Sequence, residues 1–366
     1  MAFTSPFSGT PKVRKGSADP TLSHDEFVRR FKERFKDPAF DDEEDAKNRV
    51  AEAAWKGYDE SRKSAHTRPA GPGFADPKQE VSVEWLATRE RLIQAERTHR
   101  NPDARPRLLL INGSPRSEWT CPGELSKTHR LVDEASQAIA KIGDFEVDIL
   151  DLSRLTSEFG RNIHPCKACV STAMPLCNWP CSCYPNDAMG QVQDWMAEIY
   201  ERWVLAHGVM IITPVHWYQA PSVLKLMIDR LVCADGGNPD PTSTGGKDPE
   251  AAKKLELKGW DYPKHLEGRL FAVITHGDAG GAEHVRQALT DWLNDIGLES
   301  ASPQALLDRY IGYLKPYATS HDELDEDRAI MTEVQNAGAA LARAVAMKRS
   351  GQLPTRPHGG DDPRPK

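Results

Sequence analysis

The stretch HPCKACVSTAMPLCNWPCSC, residues 164–183, holds five of the chain's seven cysteines. Two residues separate Cys166 from Cys169, seven separate Cys169 from Cys177, and Cys181 and Cys183 close the run. Thiols so spaced can ligate one metal, and four thiolates satisfy zinc or an iron–sulfur cubane. The same thiols can instead stay reduced or cycle as redox groups. That second use is the expectation, with no metal ligand assigned and a cluster kept as the alternative.

Three further groups stand where short apolar runs break into turns. Gly113-Ser114-Pro115-Arg116 follows the run Arg107–Asn112, and Ser126 and Thr128 lie further on, inside the helical pattern after it. Small and hydroxyl residues at a strand-to-helix turn let backbone N–H groups surround a phosphate, and Arg116 can add a bidentate contact. Neither G-x-x-x-x-G-K-[ST] nor G-x-G-x-x-G is present, so no nucleotide triphosphatase or Rossmann dinucleotide site is indicated. Pro214, Val215, His216, Trp217 and Tyr218 follow the run Val209–Thr213. Their aromatic faces suit a planar ring, and capping of the sheet is the plainer alternative. His276, Gly277, Asp278, Gly280 and Gly281 follow Leu270–Thr275, where glycines let the backbone approach a ligand closely.

These turns need a scaffold that gathers them. Strands are expected at 107–112, 145–150, 209–213 and 270–275, with a weak fifth near 298–302. Helical patterns cover about 124–141, 187–203, 222–231, 282–296 and 326–348. Alternating strands and helices imply a parallel sheet covered on both faces, with ligands beyond the carboxyl ends of the strands. Ahead of it, 1–105 reads as a charge-rich arm with helices at about 24–37, 42–63 and 79–99. In the third, Val83, Leu86, Leu92 and Ile93 share a face. A Pro/Gly-rich connector, HTRPAGPGFADPK, separates the last two, and the polar tail 350–366 reads as disordered. No internal repeat is seen.

A length of 366 residues allows one large domain with an extension, here 1–105 before a domain at 106–349. The net charge of −7 argues against nucleic-acid binding. No run approaches the roughly 18 apolar residues that span a bilayer, and the start has no apolar secretory core. The expected compartment is the cytoplasm.

In order, INGSPR at 111–116, TPVHWYQAPSVLKLMIDR at 213–230 and THGDAGG at 275–281 resemble the flavodoxin-like NAD(P)H-dependent FMN reductase and quinone reductase superfamily. The resemblance covers about 107–345 and departs in two ways. His216 stands where the family usually has tyrosine, and SEWTCPGE stretches the first loop. A related group, the iron–sulfur flavoproteins, carries a compact cysteine motif in the loop after strand two, its third cysteine two residues after the second where seven intervene here.

The resemblance implies an α/β flavodoxin-like three-layer sandwich with a five-stranded parallel sheet and a helical N-terminal extension. It implies FMN as cofactor, with Ser114, Arg116, Ser126 and Thr128 on the phosphate. Pro214 to Tyr218 would lie along the ring, and His276 to Gly281 would close its other edge. NADH or NADPH would be the donor, and a quinone, free flavin or similar electrophile the acceptor. His216 and Tyr218 are candidate proton donors, Asp229 and Arg230 helix anchors. A homodimer or homotetramer is expected. The alternative is an electron-transfer or redox-sensing flavoprotein without small-molecule turnover.

Overall fold

The computed structural model describes residues 21–59, 67–117, 126–181, 183, 194–316 and 319–352. The SEWTCPGE insertion apart from Ser117, the expected starts of the first and second sheet-flanking helices near 124 and 187, and all but the first residues of the tail lie outside them. Chain contacts group into two compact units that alternate along the sequence. One comprises 1–93, 159–200 and 226–265; the other comprises 94–158, 201–225 and 266–366.

In the first unit, α1 (His24–Lys32) and α2 (Glu44–Asp59) bury Phe27, Phe31 and Ala51 against Phe35, Trp55 and Tyr58. Ser23 caps α1 by accepting from the Glu26 N–H. The connector is not featureless: β1 (Thr67–Pro69) pairs antiparallel with β2 (Glu80–Ser82). The third helix, α3 (Val83–Arg100), therefore starts four residues later than periodicity alone suggests, because 80–82 are spent on β2. Its buried residues include Trp85, Leu86, Leu92 and Ala95, whereas Val83 is exposed.

The sheet lies in the second unit. Its first strands are β3 (Arg107–Asn112) and β4 (Glu146–Asp151), with α4 (Lys127–Ala140) between them. A short α5 (Arg154–Ser157) follows, then α6 (Met196–Leu205), β5 (Gly208–Pro214) and α7 (Ser222–Arg230). Between α7 and β6, in a stretch of the first unit rich in Gly, Pro and Asp where no helix was expected, lies α8 (Pro249–Leu257), capped by Asp248. After it come β6 (Leu270–Gly277), α9 (Ala282–Asp295), β7 (Glu299–Ser300), β8 (Leu306–Tyr310), α10 (Ser320–Glu326) and α11 (Arg328–Arg349).

The order is β4-β3-β5-β6-β7, with β8 also on β6, and every pairing is parallel. That is the flavodoxin-like arrangement. The fifth position is filled twice: β7 pairs with Leu270 and Phe271, and β8 takes over from Val273 to Gly277. Alternation along the strands supplies the core. Leu108, Leu110, Met210, Ile212, Ala272 and Ile274 pack with Leu131 and Ile139 of α4 and Leu341 and Val345 of α11.

Gly113, immediately after β3, has no room for a side chain. A Cβ there would stand 2.8 Å from Thr213 Cβ and 3.1 Å from Leu224 Cδ2. Replacement Gly113→Ala is expected to lower stability by about 1–3 kcal/mol through overpacking, read as a reduced midpoint in denaturant unfolding.

Candidate functional site

The turn after β3 is built before any ligand is considered. Asn112 Nδ2 donates to Asp151 Oδ1 at 2.9 Å, tying the carboxyl ends of β3 and β4 together. The Ser114 N–H donates to Asn112 Oδ1 at 3.1 Å, and the Arg116 N–H to Ser114 Oγ at 3.1 Å. From the far side Thr156 Oγ1 donates to the Pro115 carbonyl at 2.9 Å. Ser114 is buried and Arg116 half-buried. Ser126 caps α4, whose first turn contains Lys127 and no acidic residue. Hydroxyls, a guanidinium and helix N–H groups without a carboxylate among them form a donor set for an anion.

The turn after β5 is tight. The His216 N–H donates to the Gln219 carbonyl and the Gln219 N–H to the His216 carbonyl, both at 2.9 Å. Trp217 and Tyr218, between them, have φ of 49° and 64°. Left-handed backbone costs a residue with a Cβ roughly 1–2 kcal/mol, and hairpins of this type normally use Asn or Gly. Nor do the two rings recover that cost in the core: Trp217 is 95% exposed and Tyr218 62%. They do not cap the sheet.

The turn after β6 supports this one. A Cβ on Gly281, itself at φ 107°, would lie 3.0 Å from both Cα and Cδ1 of Tyr218, and one on Gly280 3.3 Å from its Cε1. Gly281, by its backbone and its close contact, favours this approach of Tyr218 most, and Gly280 leaves it room. The Val215 N–H donates to the His276 carbonyl at 2.8 Å, and the Pro214 and His276 positions are paired between β5 and β6.

Electrostatics join all three turns. Burial, and next the Arg116 guanidinium, hold the pKa of His216 below its usual 6.5, while the Asp278 carboxylate pulls the other way. Arg116, His216 and Asp278 come from three different turns, which leave neighbouring parallel strands at the same end of the sheet.

Two expected ligand residues are engaged with each other. Thr128 Oγ1 lies 3.0 Å from His276 Nε2, and both side chains are buried. Burial foremost, then Lys127 and His216, push the His276 pKa down to about 3. Asn112, though inside INGSPR, was given no role, and Asp151, Lys127 and Thr156 were not singled out. The first two were traceable, as polar residues at the matched ends of adjacent apolar strands. Arg230, matched to the family's helix end, is buried in a salt bridge with Asp194 and donates to the His164 carbonyl at 2.9 Å.

The cysteine segment belongs to the other unit. The six described cysteines form no disulfide. Among the described residues no group of three or more His, Cys, Asp or Glu side chains is disposed to hold a metal ion. The Lys247 ammonium also lies against two of the thiols.

Residues 106–308 match the model of a family described as NADPH-dependent FMN reductase. An iron–sulfur flavoprotein of Methanosarcina thermophila is 30% identical over 190 residues, which is 51% of this chain and 73% of the relative. Among solved structures, RosB with a bound formylriboflavin phosphate intermediate is 16% identical, covering 68% of this chain and 82% of its own, at a TM-score of 0.43. A flavone reductase is also 16% identical, covering 66% and 63%, at 0.38. Structural likeness at that level carries no argument about activity. No described helix is long and apolar enough to cross a membrane.

The buried His276 makes the site acid-sensitive. In the unfolded chain it protonates near 6.5, whereas folded it resists to about 3. Between those values the unfolded state binds more protons, so stability falls as pH is lowered through the window. One such histidine contributes a slope of at most about 1.4 kcal/mol per pH unit. Denaturant midpoints measured across pH should show a shallower acid slope for His276→Gln than for the native chain.

Proposed function

The chain belongs to the NADPH-dependent FMN reductase family, and from that premise we propose that it oxidises NADH or NADPH and reduces a quinone, a free flavin or a similar conjugated electrophile. The gathering of three turns at one end of the sheet, with Tyr218 against Gly281 and Thr128 Oγ1 3.0 Å from His276 Nε2, is the observation that supports this reading best. The donor set fits FMN: hydroxyls, a guanidinium and the N–H groups at the start of α4 for the phosphate, and two exposed aromatics for the ring.

When bound, FMN supplies the redox chemistry, taking two electrons with a hydride and passing them to a second planar partner. The chain's residues bind, orient and handle protons. Ser114, Arg116 and Ser126, with the start of α4, hold the phosphate; Thr128 supports them through His276. Pro214, Val215, His216, Trp217 and Tyr218 form one wall, and His276, Gly277, Asp278, Gly280 and Gly281 set the opposite limit. His216, kept neutral near pH 7 by burial and Arg116, can accept a proton at one ring nitrogen while donating from the other. The Tyr218 hydroxyl offers a second proton from an exposed position. The proposed domain is 106–349 with 1–105 as an extension, and the proposed assembly is a homodimer or homotetramer.

Purified protein should show the flavin absorbance bands and oxidise a nicotinamide when a quinone is supplied. A colourless protein that takes up no added FMN would overturn the reading. Arg116→Ala is expected to weaken FMN binding by about tenfold or more, the worth of a charged hydrogen bond, and to leave riboflavin binding nearly unchanged in fluorescence titration. Trp217→Gly should also weaken FMN by about tenfold if the ring rests there. Because glycine relieves the left-handed strain, the same variant should not lower the melting temperature of the cofactor-free protein.

A further inference from the structure

Cys169 Sγ and Cys183 Sγ lie 3.9 Å apart, at contact distance and unbonded. The Lys247 ammonium stands 3.9 Å from the first and 3.7 Å from the second. It is fixed there by donating to the Leu176 carbonyl at 2.9 Å. Cys169 opens a 3-10 turn, Cys169–Ser171, and is half-buried; Cys183 is buried. Cys166, which sequence spacing would pair with Cys169, is occupied otherwise: its sulfur accepts from the Ala168 N–H at 3.3 Å.

We propose that Cys169 and Cys183 form a dithiol–disulfide couple, oxidised by a low-molecular-weight disulfide of the glutathione class, with Lys247 as the positioning residue for the thiolate that attacks. Cys169, the more accessible sulfur, loses its proton to solvent and attacks one sulfur of the external disulfide. A mixed disulfide forms and one glutathione thiolate leaves. Cys183 loses its proton and attacks the Cys169 sulfur, closing the intramolecular bond and expelling the second glutathione. Both glutathione thiolates take up protons, so two cysteine thiols are oxidised and one external disulfide is reduced.

Lys247 has a definite task in this sequence. Contact with Cys177 and Cys183, then burial, push the Cys169 thiol up, and the Lys247 charge is what opposes them. Burial works against that charge, and a thiolate formed beside it favours it, which leaves the amine's pKa above its usual value. Oxidation would close a ring containing Trp179, whose indole stacks on His265 with centroids 4.7 Å apart and planes 7° from parallel. The couple is independent of the flavin reading.

The test uses the full chain, purified reduced and without oxygen, then equilibrated in glutathione buffers from reducing to oxidising. Remaining thiols are alkylated and peptides are mapped without reduction. The expected result is a Cys169–Cys183 linked peptide that replaces the two alkylated ones. Lys247→Gln is expected to slow oxidation by about tenfold, through the lost thiolate fraction, and to reach the same linkage. Both thiols alkylated in oxidised buffer, a different dominant pair, or an unchanged rate in the lysine variant would each overturn the proposal. Stoichiometric iron and acid-labile sulfide in the reduced protein, lost in Cys183→Ser, would do so as well.

Discussion

A slip of one residue between β5 and β6 would exchange the faces of every side chain on the moving strand. The strands hold their register because both faces are buried: Val209 to Ile212 and Phe271 to Ile274 are all fully enclosed. With Pro214 opposite His276 and Asn112 opposite Ile212, three chain segments leave the sheet at one edge. What those segments can bind is thus set by burial of apolar side chains that touch no ligand.

Given that edge, the turns are secured by different means. The first is pinned by Asn112, which bonds to Asp151 with its amide nitrogen and accepts from Ser114 with its oxygen. The second is held against its own preference, in left-handed backbone at Trp217 and Tyr218. The third yields, its glycines giving Tyr218 a close approach that a side chain there would crowd. Strained backbone with exposed aromatics marks a site more specifically than apolar residues do.

Much of this was legible in the residues. Alternating runs located four main strands within two residues at each end, because parallel strands buried on both faces leave near-continuous apolar sequence. The helical pattern at 79–99 misplaced its own start, since Glu80–Ser82 pair with a connector strand that no periodicity reveals. Likewise β8 begins with two leucines and then turns charged, so LLDRY does not read as a strand until β6 lies beside it. In the turns, residue types pointed to an anion and a planar ring. They did not show that Thr128 and His276 bond to each other, because that pairing joins positions 148 apart. The cysteines were conspicuous, but Lys247 was not; a single lysine in a Gly-rich stretch acquires meaning only from its neighbours.

The split fifth position of the sheet bears on how copies of the chain can meet. An uninterrupted outer strand offers a row of unpaired amides and carbonyls on which another chain can extend the sheet. Here that row is broken between Ser300 and Leu306, and its second half carries Asp308 and Arg309, paired with Arg286 and Glu333. Such an edge is a poor template for strand addition, which leaves self-association on this side to helices and loops.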